Sequence, residues 1–224
     1  MKDFPVFTTD FGVSSMVLRE VPYRQEAYIH IQDVQPGGLI SHLAECVSFC
    51  RMVGAEKILA TGHDELEQFP LHASIFEMRG TAWVDRQKLK NVFPVTEQTV
   101  SQWREICNRR LRTVDCSATQ TSGDEKEILS AGHACFVHEE GELLGIGWIR
   151  EDTLLVVASI KPGAGEAVMH SLMSIIEGSE MNLEVASTNL RAIRLYEKLG
   201  FVKTRQLRRW YDVTGCREKA GENG

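Results

Sequence analysis

The sequence lacks the features that mark membrane-spanning, secreted or nucleic-acid-binding proteins. No stretch approaches the roughly 18 consecutive apolar residues that a membrane helix needs, because Lys161, Pro162 and Glu166 interrupt the longest candidate. The N-terminus has no apolar core of a signal peptide. Lys and Arg number 25 against 31 Asp and Glu, so there is no basic surplus to attract nucleic acid. We therefore expect a cytoplasmic protein that binds neither membrane nor nucleic acid.

Paired metal-binding cysteines are also missing. None of the six cysteines forms a Cys-x-x-Cys pair. Cys46 and Cys50 lie one helical turn apart, but no histidine is spaced to complete a metal site with them. Buried reduced thiols are the simpler interpretation and a metal-binding pair is the alternative, so we predict no metal site. A chain of 224 residues with 43% hydrophobic residues can bury a core without disulfides.

Strand and helix patterns alternate along the chain, which predicts an α/β (α+β) fold. Residues 85–91 are charged and aperiodic, so we place a linker there. This gives an N-terminal α+β domain over 1–88, a second domain over 93–214 and a disordered tail over 215–224. The first domain is predicted as strand, strand, helix, strand and strand at 15–21, 27–31, 39–53, 57–61 and 73–79. The second is predicted with helices at 96–111, 124–131, 166–176 and 188–199, and strands at 134–138, 143–148, 153–160, 182–186 and 201–213.

A glycine turn joins the apolar strand at 153–160 to the helix that follows it. Gly163-Ala164-Gly165 lets backbone approach a ligand closely. The helix start behind it presents unpaired N–H groups and the positive end of the helix dipole, which suit a phosphate. The turn is not a P-loop, because no Lys-Ser/Thr follows it. A plain tight turn is the alternative interpretation.

The segment 183–201 is more specific. It reads as a strand, a polar cap, an amphipathic helix and a Gly-Phe exit, with Val185, Asn189, Ala192, Tyr196 and Gly200-Phe201 at fixed spacing. This pattern resembles the signature of the GNAT superfamily of acetyl-CoA-dependent N-acetyltransferases. The resemblance covers about residues 93–213 and implies a mixed, mostly antiparallel sheet flanked by helices.

The resemblance implies acetyl-CoA as co-substrate. In the family, the strand before the glycine turn and the strand after the next helix splay apart, and pantetheine lies in the gap between them. Pro162 and Glu166 depart from the family's turn, since Pro162 offers no N–H and Glu166 places a carboxylate near the anion site. The cofactor-binding residues implied are Val157, Ala158, Ser159, Gly163, Ala164, Gly165, Ala167, Asn189, Ala192 and Tyr196.

Tyr196 is the predicted catalytic residue. Acyl transfer from a thioester to an amine expels a thiolate, and a phenol with an ordinary pKa near 10 is protonated at neutral pH and can donate a proton to that sulfur. A tyrosine that only packs the helix on the sheet is the alternative. The base that deprotonates the amine is left unassigned: Glu184 and His138 are candidates, each of which could equally be a structural group, and a water chain would also serve.

The first domain mirrors the order of elements at the end of the chain. We therefore interpret residues 14–84 as a degenerate half-unit of the same fold, with 58–63 corresponding to Leu183 through Thr188 or Asn189. No glycine turn precedes the helix at 39–53, so this half should not bind cofactor. An unrelated small α+β cap is the competing interpretation.

The preferred function is transfer of an acetyl group from acetyl-CoA to a primary amine by direct attack in a ternary complex. No Cys/His arrangement supports a covalent intermediate. The acceptor is a small molecule or a peptide, and a homodimer is left open. The alternatives are a non-catalytic acyl-CoA sensor, which the Pro162 and Glu166 departures favour, an enzyme that uses another acyl-CoA, and a structural protein.

Overall fold

The computed structural model describes residues 5–176 and 178–217. The strands are β1 (Val6–Thr8), β2 (Gly12–Val17), β3 (Glu26–Val34), β4 (Lys57–Thr61), β5 (Leu71–Thr81), β6 (Asn91–Pro94), β7 (His133–Glu139), β8 (Glu142–Arg150), β9 (Thr153–Ser159), β10 (Glu180–Ala186) and β11 (Val202–Asp212). The helices are α1 (Val21–Arg24), α2 (Leu39–Met52), α3 (Val100–Leu111), α4 (Glu125–Ser130), α5 (Gly165–Met173) and α6 (Leu190–Lys198). Short 3₁₀ helices span Asp64–Gln68, Arg86–Lys88 and Ser122–Asp124.

The chain forms two compact units. Unit 1 comprises the residues up to Ser74 together with those from Arg208 onwards, and unit 2 runs from Ile75 to Leu207. β5 and β11 therefore each contribute residues to both units. The domain boundary predicted from the sequence, between residues 88 and 93, stays a prediction.

Unit 1 is built around a parallel crossover. β1, β2 and β3 are antiparallel neighbours, and α2 then returns the chain so that β4 runs parallel to β3. The end of β11 adds antiparallel to β4, with Tyr211 opposite Ala60. α2 packs its apolar face on the sheet through Leu43 and Val47, which are fully or almost fully buried. Their helical spacing is why the sequence predicts this helix.

The buried face of α2 also carries a polar cluster. His42 is fully buried, and its two ring nitrogens lie 2.8 Å from Thr9 Oγ1 and 2.7 Å from Ser14 Oγ. Cys46 Sγ lies 3.6 Å from His42 Nε2, so a histidine contacts one of the two cysteines. Burial raises the pKa of the Cys46 and Cys50 thiols to about 12, so both are neutral at physiological pH.

Unit 2 contains a mixed, mostly antiparallel sheet flanked by helices, which confirms the predicted fold class. Its strand order is β11-β5-β10-β9-β8-β7-β6, and β9 and β10 form its parallel pair. One core contains α5 and α6 residues such as Met169 and Tyr196. A second core contains α3 and α4 residues such as Trp103 and Ile128. Two helices differ in detail from the sequence prediction: α3 begins after Thr99 rather than Thr96, and α5 ends at Met173 rather than at residue 176. The segment at 201–213, for which one or two strands are expected, forms the single strand β11.

Two glycines of β8 bring α5 close to the sheet. A Cβ atom on Gly147 would lie 2.3 Å from Leu172 Cδ2, and one on Gly145 would lie 2.6 Å from Val168 Cγ2. Real Cβ atoms do not approach that closely, so α5 packs directly on the glycine backbone. This contact fixes the distance between α5 and β8.

The predicted linker at 85–91 is anchored on α5 within unit 2. The Asp85 N–H donates to His170 Nδ1 at 3.3 Å, and the Lys90 N–H donates to Ser171 Oγ at 2.9 Å. The His170 ring also packs edge-to-face against Trp83, with ring centroids 5.7 Å apart. The segment is therefore tied to α5 at two points.

The two units share one order of elements. β2, β3, α2, β4, a short 3₁₀ helix and β5 in the first half match β8, β9, α5, β10, α6 and β11 in the second. The last strands are exchanged: residues 75–81 of β5 pair antiparallel with β10 in unit 2, and the end of β11 pairs antiparallel with β4 in unit 1. This is the order that the predicted half-unit requires, and the repeat itself stays a prediction.

Among residues 5–176 and 178–217, no helix combines the length and the hydrophobicity that a membrane span requires. Within the same residues, no group of three or more His, Cys, Asp or Glu side chains could hold a metal ion. Cys216 lies in the segment predicted as a disordered tail and is buried, and residues 218–224 of that segment lie outside the described part.

Candidate active site

A gap opens between two neighbouring parallel strands of unit 2. β9 and β10 are paired at only two positions, Asn182 with Thr153 and Leu183 with Leu154. β9 then continues to Ser159, paired on its other side with β8, and β10 continues to Ala186, paired on its other side with β5. Beyond the two shared positions the strands diverge, which confirms the splay that the sequence resemblance implies.

The edge of β9 that faces this gap carries free backbone groups. The Ile160 N–H donates to the Leu144 carbonyl of β8 at 2.7 Å. Because successive residues of a strand direct their N–H and C=O groups to opposite sides, Ala158 points to β8 while Val157 and Ser159 point to the gap. These two predicted cofactor-contacting residues can therefore accept an extended chain as an added strand would.

The glycine turn follows directly after β9. Gly163 has φ +84°, a left-handed conformation that favours glycine, and a Cβ there would meet nothing within 4 Å. Ala164 is the N-cap of α5, so the N–H groups of Gly165, Glu166 and Ala167 form the first turn and have no partner within the helix. The turn thus ends in an open helix N-terminus, which suits a phosphate group.

The Glu166 side chain is held by two lysines at this helix start. Lys88 Nζ donates to Glu166 Oε2 at 2.7 Å, and Lys198 Nζ donates to Glu166 Oε1. The hydrogen bonds from Lys198 and Lys88 lower the pKa of the Glu166 carboxyl to about 2, so it is ionised at neutral pH. The sequence shows that Glu166 departs from the family's turn, but it does not predict the contact with Lys88, which is 78 residues away in a stretch without periodicity.

Asn189 caps α6. Its Oδ1 accepts the Ala192 N–H at 3.2 Å, so the side chain satisfies one of the unpaired donors of the first turn. The structure therefore assigns Asn189 the N-cap role that accompanies its predicted contact with the cofactor. Ala192 lies one turn before Tyr196 on the same side of α6 and is partly buried.

Tyr196 lies in the core beneath α6. It is 7% exposed, and its ring centroid is 6.0 Å from that of Phe201. Burial raises the pKa of its hydroxyl to about 12, which keeps it protonated at neutral pH. Within residues 5–176 and 178–217 the hydroxyl has no hydrogen-bond partner. A protonated phenol with a free O–H can donate a proton, and the same ring packs the helix on the sheet.

The two candidate bases lie in different surroundings. His138, near the end of β7, is packed edge-on against Phe93 and Phe136, with centroids 5.4 and 6.3 Å away. Glu184 is exposed on β10 and lies opposite Glu77 in the β10–β5 register. Neither arrangement singles out one of them, so the base stays unassigned.

Comparison with known proteins identifies the fold. No protein-family model and no curated protein matches the sequence. A conserved protein of unknown function from Staphylococcus epidermidis is similar in structure with a TM-score of 0.60 at 7% identity, over 95% of this chain and 94% of that one.

Two GCN5-related N-acetyltransferases are also similar in structure. For the one from Sphaerobacter thermophilus the TM-score is 0.53 at 13% identity, over 90% of this chain and 76% of that one. For the one from Anabaena variabilis the TM-score is 0.58 at 8% identity, over 83% of this chain and 54% of that longer one. Together with the splayed strands and the glycine turn, these similarities show that the chain has the fold of the GNAT-family acetyltransferases.

Proposed function

We propose that this protein transfers an acetyl group from acetyl-CoA to a primary amine by direct attack in a ternary complex. The observation that carries the proposal is the pairing of β9 with β10 at only two positions. The gap leaves backbone N–H and C=O groups of Val157 and Ser159 unpaired on the side where a slender chain could lie. Unpaired backbone groups are costly when buried, so such an edge is typical of a ligand site.

The residues around the gap fit acetyl-CoA. Its pantetheine arm carries amide groups that can bond to Val157 and Ser159 as an added strand would. Its diphosphate matches the N–H groups that begin α5 behind Gly163 and Gly165. Pro162 lacks an N–H, but it precedes the helix start and removes none of the first-turn donors.

Each residue of the site has a role in the proposed reaction. When bound, acetyl-CoA supplies an activated acyl group that an amine can attack without a protein nucleophile. The Tyr196 hydroxyl, which is protonated at neutral pH, donates its proton to the departing sulfur. Backbone N–H groups of β9 stabilise the negative charge that develops on the acyl oxygen. Asn189 holds the start of α6, which carries Tyr196.

The acceptor in this proposal is a small-molecule or peptide amine. The net charge of the chain is −6, which attracts cationic amines. The side chains that select the acceptor lie outside the motif that the sequence analysis identified.

A non-catalytic acyl-CoA sensor is the second candidate. The observation that favours it is the Glu166 carboxylate at the start of α5, which opposes an incoming phosphate. Such a module would bind acetyl-CoA and release no CoA.

The experiment combines binding with turnover. Thermal melting with and without acetyl-CoA reports binding, and thiol detection across an amine panel reports released CoA. We expect protection by acetyl-CoA and thiol release with at least one amine class. Protection with no thiol release across polyamines, aminoglycosides and lysine peptides would favour the sensor. Failure of every acyl-CoA to bind would contradict both candidates.

A further inference from the structure

Near the start of α5, two lysine side chains are paired with a carboxylate of the same chain. Glu166 accepts hydrogen bonds from Lys88 and from Lys198, each through a different carboxylate oxygen. The Glu166 side chain is 25% exposed, whereas those of Lys88 and Lys198 are 43% and 66% exposed. The two ammonium groups are therefore accessible to solvent, and the carboxylate between them belongs to the first turn of α5.

The three residues come from three separate elements. Lys88 ends a 3₁₀ helix that is anchored on α5 through the Asp85 N–H, Lys198 ends α6, and Glu166 is in the first turn of α5. Lys88 also lies 3.9 Å from Asp85. The arrangement brings two cations to a helix N-terminus that already favours an anion.

The exposed face of α6 extends this positive region. Arg191 and Arg194 are exposed and lie on the same helical face as Lys198, at spacings of three and four residues. A chain with a net charge of −6 thus places three basic side chains on one face of the helix that carries the proposed catalytic tyrosine. The charge pattern suits a polyanion, and a singly charged carboxylate satisfies only part of it.

We propose that Glu166 is an internal counter-ion which holds Lys88 and Lys198 until phosphate groups of coenzyme A replace it. Glu166 then acts as a latch: it competes with the incoming phosphates, and its release costs part of the binding free energy. This inference rests on the proposed function, since it assigns the lysines to the phosphates of the same donor. It explains why a carboxylate is tolerated beside an anion site, because Lys88 and Lys198 balance the charges of Glu166 and Asp85.

The competing account is a purely structural role. In that account Glu166 only ties the 3₁₀ helix and α6 to α5, and the lysines contact no ligand. The two accounts predict opposite signs for the effect of removing the carboxylate on coenzyme A binding. A latch raises affinity when it is removed, whereas loss of a structural tie leaves affinity unchanged or lowers it.

The test is calorimetric titration of coenzyme A into the full chain at low and high salt. Glu166→Gln is compared with wild type and with Glu127→Gln, a matched control that also loses one exposed carboxylate from an ion pair, with Arg150 at 2.7 Å. We expect Glu166→Gln to bind about three- to tenfold more tightly than Glu127→Gln at low salt. The gain should shrink at high salt, because screening weakens the lysine–phosphate attraction.

Lysine variants provide a second measurement. Lys198→Met and Lys88→Met should each bind coenzyme A about three- to tenfold more weakly than wild type, and each should reduce the gain given by Glu166→Gln when the two changes are combined. Dephospho-coenzyme A identifies the phosphate involved: a gain that persists assigns the lysines to the diphosphate, and a gain that disappears assigns them to the 3′-phosphate.

The outcomes separate the two proposals. If wild type binds coenzyme A and Glu166→Gln binds no more tightly than Glu127→Gln, the latch is contradicted while the proposed function stands. If the lysine variants bind as wild type does, the latch is contradicted in the same way. If neither wild type nor Glu166→Gln binds coenzyme A, both proposals fail.

Discussion

The two parallel crossovers of this protein have the same order of elements but differ in how far their strands are paired. In unit 1, β3 and β4 pair over all five residues of β4, from Glu26 opposite Lys57 to His30 opposite Thr61. In unit 2, β9 and β10 pair at two positions and then diverge. The closed crossover leaves no backbone edge between its strands, and the open one does.

The difference shows what turns a common supersecondary unit into a binding site. α2 begins after Gly38 and has no acidic residue in its first turn. It packs on apolar side chains of the sheet, such as Ile29, rather than on glycines. α5 begins after a glycine turn, carries Glu166 in its first turn and packs on the glycines of β8. The parallel pair in unit 2 gives up backbone hydrogen bonds that the pair in unit 1 retains, and a ligand that supplies those bonds would compensate.

The largest expected effect is on kcat, and it should separate a buried tyrosine of unit 2 from one of unit 1. Tyr196→Phe removes the proposed proton donor and retains the ring, so kcat should fall by about 10²–10⁴-fold. Tyr211→Phe, which alters an equally buried tyrosine of unit 1, should leave kcat within about twofold of wild type. Steady-state thiol release with an accepted amine measures both.

An unchanged kcat in Tyr196→Phe would restrict Tyr196 to packing against Phe201. The melting temperatures of both variants provide the control, because a loss of folded protein would lower the apparent rate without any catalytic role.

The contact of α5 with β8 is the next point of contrast. Gly147→Ala places a Cβ 2.3 Å from Leu172 Cδ2, and the overpacking should lower the free energy of unfolding by about 1–3 kcal/mol. Gly215→Ala, whose Cβ would meet nothing within 4 Å, should change it by less than about 0.5 kcal/mol. Urea unfolding measures both, and equal stability of the two variants would show that α5 can shift away from the strand at no cost.

The glycine turn can be tested with a matched pair of left-handed glycines. Gly163 has φ +84° and Gly200 has φ +87°, and both would place a Cβ in open space. Alanine at either position should cost about 1–2 kcal/mol of stability through backbone strain. Only Gly163→Ala should also weaken coenzyme A binding, by up to about tenfold, because that turn leads into the phosphate-binding helix start. Equal coenzyme A affinity in the two variants would remove the turn from the site.

The smallest expected effect is the pH dependence of the Glu166 ion pairs. The folded-state pKa of this carboxyl is about 2, below its ordinary value of 4.5. Its contribution to stability is therefore fully present above about pH 4.5 and is lost as the pH falls toward 2. Because the group is partly exposed, the contribution should stay below about 1 kcal/mol.

Urea unfolding of wild type and Glu166→Gln at pH 6 and pH 3 measures the contribution of these ion pairs to the free energy of unfolding. We expect the stability difference between the two proteins to be larger at pH 6 than at pH 3. A difference that does not change with pH would mean that the pairing does not stabilise the folded chain.

The sequence predicts the local elements well because hydrophobic periodicity reports which face is buried. The strand at 57–61 has the observed bounds of β4, and the helix at 39–53 differs from α2 by one residue. The spacing from Asn189 to Phe201 identified the strand–cap–helix unit and its fold family, because a cap, a helical face and a glycine exit each leave a local signal.

Long-range features of the site leave no such signal. The exchange of β5 and β11 between units could not be predicted, because alternation shows that a segment is a strand and does not show which strand lies beside it. The Lys88–Glu166 pair joins residues 78 positions apart, and surface lysines have no periodic pattern. The close packing of α5 on Gly147 was missed because the hairpin pattern explains that glycine equally well.

The most direct test of the proposed site is a crystal structure of the protein with coenzyme A. We predict an extended pantetheine arm between β9 and β10, bonded to the backbone of Val157 and Ser159, with the diphosphate at the first turn of α5. Strands paired along their whole length, or coenzyme A bound away from this gap, would contradict it.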